Sequence, residues 1–132
     1  MREFNKIQHD SLLIDMSSDI GSYSFEWDNI AYVYAGAQKN MGIPGVSICI
    51  GNEKYLNSDD NSRYLNLGQL VEKNSLLNTP PTFSIYVLKL VTDWMIEMGG
   101  IKYFEEKSIR QSSRLYEQLQ TCLLYTSDAA DD

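Results

Sequence analysis

The stretch Ile30-Ala31-Tyr32-Val33-Tyr34-Ala35-Gly36-Ala37-Gln38-Lys39-Asn40 decides how the chain is read. Its first five residues are β-branched, aromatic or small and apolar, the composition of a buried strand. Ala35-Gly36-Ala37 ends the run with small residues that let the backbone pack closely. The strand therefore delivers Lys39 to a loop at its C-terminal end. An amine so placed is expected to be partly desolvated, which favours its nucleophilic form and suits Schiff-base chemistry. A solvated loop lysine is the plainer alternative.

Two further apolar runs lie on either side. Leu12-Leu13-Ile14 predicts a short buried strand, ended by Asp15 and a polar loop through Ser17, Ser18, Asp19 and Gly21. Gly45 to Ile50 predicts a third strand, in which Cys49 reads as a small buried hydrophobe. The segment from Gln38 to Pro44 is too polar and too rich in breakers to be a strand. Beyond Asn52 the pattern is irregular, with a solvated loop over Asn57 to Ser62 and a helical turn within Leu65 to Leu70.

Thr79-Pro80-Pro81-Thr82 opens the strongest helix, with Thr near the N-cap and Pro in the first turn. Phe83, Tyr86, Val87, Leu90, Val91, Trp94, Met95 and Met98 recur at helical spacing and predict a broad apolar face. Trp94 there reads as core rather than as part of an aromatic ligand site. Gly99-Gly100 stops that helix. A more exposed one is expected from Ile101 to Gln120, with a sparse face of Ile101, Phe104, Ile109, Leu115 and Leu119. Three strands followed by two long helices predict part of an α/β sheet, incomplete because both faces are not covered.

The chain has 132 residues, of which 43% are hydrophobic and 22% charged. That length allows one domain with a core, and the composition argues against collagen, coiled coil and wholesale disorder. The formal charge of −7 argues against nucleic-acid binding and against docking on anionic membranes. No apolar run approaches the length of a membrane span. No basic and apolar leader opens the chain, so a cytoplasmic location is expected. His9, Cys49 and Cys122 match no metal-ligand spacing, and no metal is expected. The terminal string Cys122 to Asp132 resembles the in-frame translation of a transposase library adaptor, so residues 122–132 are expected not to be native. Setting them aside removes Asp128, Asp131 and Asp132 and no base, which leaves the chain acidic.

Two other places hold candidate chemistry. Asp15 closes its strand at the end where open α/β sheets place their ligands, although such an aspartate can simply cap a turn. Asn78-Thr79 stand before a helix N-terminus, where free amides and the macrodipole receive phosphate. Plain capping is the alternative.

Ile14-Asp15-Met16-Ser17-Ser18-Asp19-Ile20, Tyr34 to Asn40, and Asn74 to Phe83 occur in that order. Together they resemble the phosphoserine aminotransferase family of the class V aminotransferases. The resemblance covers Leu12 to Gln120. It implies part of the large pyridoxal-phosphate-binding domain of a fold type I aminotransferase, a mixed sheet flanked by helices. By it, residues 1–100 belong to that domain and 101–121 form a helix leading toward a small domain.

The resemblance further implies that Lys39 is the Schiff-base lysine and moves a proton at the substrate Cα. It implies that Asp15 pairs with the pyridine nitrogen of pyridoxal 5'-phosphate, that Gln38 contacts the cofactor beside Lys39, and that Asn78 and Thr79 contact its phosphate from the partner subunit. Ser17 and Ser18 line the same loop with no role implied. The implied protein is a homodimer with shared active sites. It moves an amino group between glutamate and 3-phosphohydroxypyruvate, a step of serine biosynthesis and, in some organisms, of vitamin B6 synthesis. The family's ring-stacking tryptophan, phosphate-cup segment and substrate arginines find no match; Arg63, Arg110 and Arg114 do not align with them. Another fold type I aminotransferase and a non-catalytic domain are the alternatives, and the chain alone is expected to be inactive.

Overall fold

The computed structural model describes residues 11–52, 55 and 66–121. The expectations for residues 57–62 and 122–132 lie outside the described residues, as do His9 and Cys122. Three strands form one mixed sheet in the order β1-β2-β3: β1 is Leu12–Asp15, β2 is Ile30–Gly36 and β3 is Ser47–Gly51. β1 and β2 are parallel, with Asp15 opposite Tyr34. β2 and β3 are antiparallel, with Tyr34 opposite Cys49. A parallel pair needs a long crossover, and residues 16–29 supply it. That crossover brings Tyr23, Phe25 and Trp27, whose rings touch in sequence: Tyr23 to Phe25 at 6.2 Å and Phe25 to Trp27 at 4.9 Å between centroids.

The core lies on one face of this sheet. Ile14, Met16, Ile20, Ile30, Val33 and Ala35 are buried there, with Met41 and Ile48 packed against them. Met16 and Val33 are each only 1% exposed, so each contributes roughly 1.5–3 kcal/mol. The opposite face is open. Leu13, Tyr34 and Cys49 are exposed on it. Two strand expectations are thereby corrected. β1 is half-buried rather than buried, and Cys49 is exposed, because the second sheet face carries no cover among the described residues.

Three helices follow: α1 Leu67–Glu72, α2 Thr82–Glu97 and α3 Gly100–Thr121. Asn66 caps α1, its side-chain oxygen accepting from the Gln69 amide at 3.1 Å. α2 is capped differently from the sequence expectation. Pro81 occupies the N-cap, and no side chain caps the helix. Its start is held instead by the loop before β3, where Ser84 Oγ donates to the Pro44 carbonyl at 2.9 Å. Gly99 and Gly100, at φ 111° and 68°, turn the chain directly from α2 into α3.

Trp94 is 46% exposed, not core. It meets Phe104 of α3 edge-on at 5.2 Å, and only Met95 of the α2 stripe is buried. The stripe is wider than α3 and the sheet can cover together. Among the described residues no helix is long and apolar enough to cross a membrane.

Candidate active site

Parallel pairing puts the C-terminal ends of β1 and β2 at the same sheet edge. Asp15 is the last residue of β1, and the turn carrying Gln38, Lys39 and Asn40 follows β2 at once. Residues distant in sequence thus become neighbours, near enough for the Lys39 charge to act on the Asp15 carboxylate. Ligands of open α/β sheets bind at this edge.

The turn after β1 ties the two strand ends together. The Ser17 amide donates to Asp15 Oδ1 at 2.8 Å. The Ser17 hydroxyl accepts from the Gly36 amide, the last of β2, at 3.2 Å. One residue on, Ser18 Oγ accepts from Lys39 Nζ at 2.6 Å. Asn40 Nδ2 donates to the Ile20 carbonyl at 3.2 Å and reaches toward that of Ser18 at 3.5 Å.

These contacts set the charge state. The Ser17 hydroxyl lowers the Asp15 pKa most and the Ser17 amide next; burial opposes them, while Tyr34 and Lys39 add to the lowering. Asp15 is therefore held below the usual carboxylate range, as expected for an anion that accepts several hydrogen bonds. Its negative charge is in turn the main cause that raises the Tyr34 phenol.

Gln38 folds back over β2. A Cβ built on Gly36 would lie 2.3 Å from Gln38 Oε1, so the amide occupies space that only glycine leaves free. Lys39 is exposed rather than desolvated, and among the described residues only Ser18 is hydrogen-bonded to its amine. Asn78 and Thr79 are exposed ahead of α2. No hydrogen bond among the described residues joins them to the Asp15–Lys39 cluster. The structure thus brings together Asp15, Gln38 and Lys39 at one edge and, among the described residues, joins Asn78 and Thr79 to them by no hydrogen bond.

Sequence reasoning left Ser17 and Ser18 without a role and missed Tyr34. The available signal was positional: small hydroxyl residues two and three places after a strand-ending Asp form a turn that bonds back to it. Tyr34 required the strand register. Among the described residues no group of three His, Cys, Asp or Glu could hold a metal ion.

A sequence model of the family described as "Aminotransferase class-V" matches residues 1–131. Phosphoserine aminotransferase of Bacillus cereus is 43% identical over 118 residues, which cover 88% of this chain and 33% of that protein. Phosphoserine aminotransferase of Lactococcus lactis is 41% identical over 115 residues, 86% of this chain and 32% of that protein. The chain spans about a third of the length of the curated relatives it matches. Among solved structures, phosphoserine aminotransferase from Bacillus circulans superposes with a TM-score of 0.79 at 37% identity, over 83% of this chain and 31% of that one. A pyridoxal-phosphate-bound phosphoserine aminotransferase from Trichomonas vaginalis superposes with a TM-score of 0.79 at 29% identity, over 85% of this chain and 32% of that one.

Proposed function

The chain belongs to the class-V aminotransferase family, and we propose that the full-length protein is a pyridoxal 5'-phosphate-dependent phosphoserine aminotransferase. It transfers the amino group of L-glutamate to 3-phosphohydroxypyruvate, giving O-phospho-L-serine and 2-oxoglutarate. Residues 1–100 belong to its cofactor-binding domain, and 101–121 form a helix leading out of it. The observation that carries this reading is the side-by-side ending of parallel β1 and β2. An ionised carboxylate and a primary amine stand there on either side of one serine turn.

The donor set fits the cofactor. Asp15 is anionic and faces the edge, as a partner for a protonated pyridine nitrogen must be. Lys39 Nζ is an accessible amine for the aldehyde carbon. The Gln38 amide, cradled over Gly36, is a further polar contact beside it. Pyridoxal 5'-phosphate supplies an electron sink for the substrate carbanion. Asp15 keeps a proton on the ring nitrogen through its negative charge. Lys39 Nζ anchors the cofactor and carries the proton away from the substrate Cα, a task for a positioned amine.

Asn78 and Thr79 hold the cofactor phosphate of the neighbouring subunit in a cytoplasmic homodimer. Their exposure, with no hydrogen bond to their own chain's cluster among the described residues, supports that division. The test is an assay of the full-length protein with L-glutamate and 3-phosphohydroxypyruvate. Formation of O-phosphoserine at a rate that needs added cofactor is expected. No formation, with another amino acceptor used readily, would overturn the substrate assignment.

A further inference from the structure

The turn that opens the crossover after β1 is anchored by hydrogen bonds and by buried side chains. The Asp19 and Ile20 amides both donate to the Met16 carbonyl, at 3.0 and 2.8 Å. Met16 and Ile20, which bracket the turn, are 1% and 5% exposed in the core. Ser18 stands between them with its side chain outside. The backbone that carries this hydroxyl has a fixed position, because moving it would pull two apolar side chains out of the core.

Lys39 reaches this hydroxyl at 2.6 Å. The neighbouring residue holds the same turn: Asn40 Nδ2 donates to the Ile20 carbonyl at 3.2 Å. Lys39 and Asn40 therefore bind one turn through two consecutive side chains. The Ser17 hydroxyl, accepting from the Gly36 amide, joins the same turn to the strand that delivers Lys39. A lysine side chain has four rotatable bonds and loses substantial entropy when fixed. An acceptor on an immobile turn is what holds its amine in one place.

We infer that Ser18 is a positioning residue for Lys39, its hydroxyl holding the free amine at the C-terminal edge of β1 and β2. The inference rests on the reading of Lys39 as the cofactor-anchoring lysine. A hydroxyl oxygen accepts a hydrogen bond from both the charged and the neutral amine. Ser18 can therefore hold Lys39 before the cofactor arrives and whenever the substrate has displaced it. Among the described residues the hydrogen-bond acceptor of the Lys39 amine is Ser18 and not Asp15, whose Oδ1 accepts from the Ser17 amide. The two consecutive serines thus divide the work, Ser17 holding the acid and Ser18 the base.

The test uses the full-length protein with wild-type, Ser18→Ala and Ser18→Thr side chains. Each cofactor-free protein is treated with a trace of acetylating reagent, and the extent of reaction at Lys39 is mapped by mass spectrometry relative to Lys102. Losing one hydrogen bond releases an amine by a factor of up to about 10. Labelling of Lys39 in Ser18→Ala is expected to rise at least about threefold, and to return to the wild-type value in Ser18→Thr. In the loaded enzymes kcat is expected to fall about 5–10-fold in Ser18→Ala, with KM for the oxo acid within about twofold. Unchanged Lys39 labelling in Ser18→Ala would overturn the inference. So would an equal rise at Lys102, since a general loosening of the fold moves both lysines.

Borohydride reduction of the loaded wild-type protein separates the two claims. Cofactor mass fixed on Lys39 leaves the site reading intact, and the labelling result then judges Ser18 alone. Cofactor mass fixed on another lysine would overturn the site reading, and the positioning role of Ser18 with it.

Discussion

Asp15 shows how neighbouring groups set a side chain's charge state. Asp15 is exposed, yet its pKa is lowered, first by the Ser17 hydroxyl and then by the Ser17 amide. Ser17→Ala should therefore move the Asp15 titration upward, toward that of an unfolded aspartate. Because the native pKa lies below the unfolded one, the associated stability is present above the unfolded pKa and is lost as pH falls through the native value. The variant should lose less stability on acidification across the aspartate range. Carboxyl carbon NMR of the Asp15 side chain would read the midpoint directly, and an unmoved midpoint would refute the role given to Ser17. The sequence placed both candidate residues at strand ends, but each local signal alone also fits a turn cap or a solvated loop lysine, and only the ordered resemblance singled the two out. The serines were not singled out, since their importance lies in which strand end each one reaches. The exposure of Lys39 was not legible either, because desolvation depends on what covers a loop rather than on the loop's own residues.

At the scale of elements, β2 and α2 were legible as such and their surroundings were not. The β-branched and aromatic run of β2 fixed its place, and the Gly99-Gly100 pair ended α2 as its left-handed φ values require. The start of α2 falls within residues 79–82 as expected, and only its capping differs. Thr and Pro near its first turn suggest a side-chain cap, whereas Pro81 sits in the N-cap and the loop of residues 42–45 holds the helix. Gly45 adopts φ 111°, and a Cβ there would come within 3.0 Å of Ser84 Oγ. Gly45→Ala should cost about 1–3 kcal/mol through that backbone conformation, seen as a lowered denaturant midpoint with unchanged slope in the full-length protein. A change below about 0.5 kcal/mol would show that residue 45 does not need the left-handed conformation. Cys49 and Trp94 were misjudged for one reason. Apolar character and helical or strand spacing identify a face that seeks cover, and they do not reveal whether this stretch of chain supplies it.

For the molecule as a whole, the described residues make a one-sided core. Leu13 is 59% exposed on the open sheet face and Phe83 70% exposed on α2, areas that a soluble monomer rarely leaves uncovered. The 132-residue chain alone should therefore melt without a sharp transition, bind a hydrophobic dye and form no O-phosphoserine. A sharp cooperative melt of a monomer at low dye binding would contradict the one-sided core. The parallel pairing of β1 with β2 assembles the proposed site, by bringing two loops to one sheet edge. Order along the sequence suggested that edge, and the register of Asp15 against Tyr34 located it. The most direct test of the proposed site is the visible spectrum of the full-length protein, wild type beside Lys39→Ala, each titrated with pyridoxal 5'-phosphate. The wild type should develop the visible band of lysine-bound cofactor and Lys39→Ala should not; an identical band in both would show that Lys39 does not anchor the cofactor.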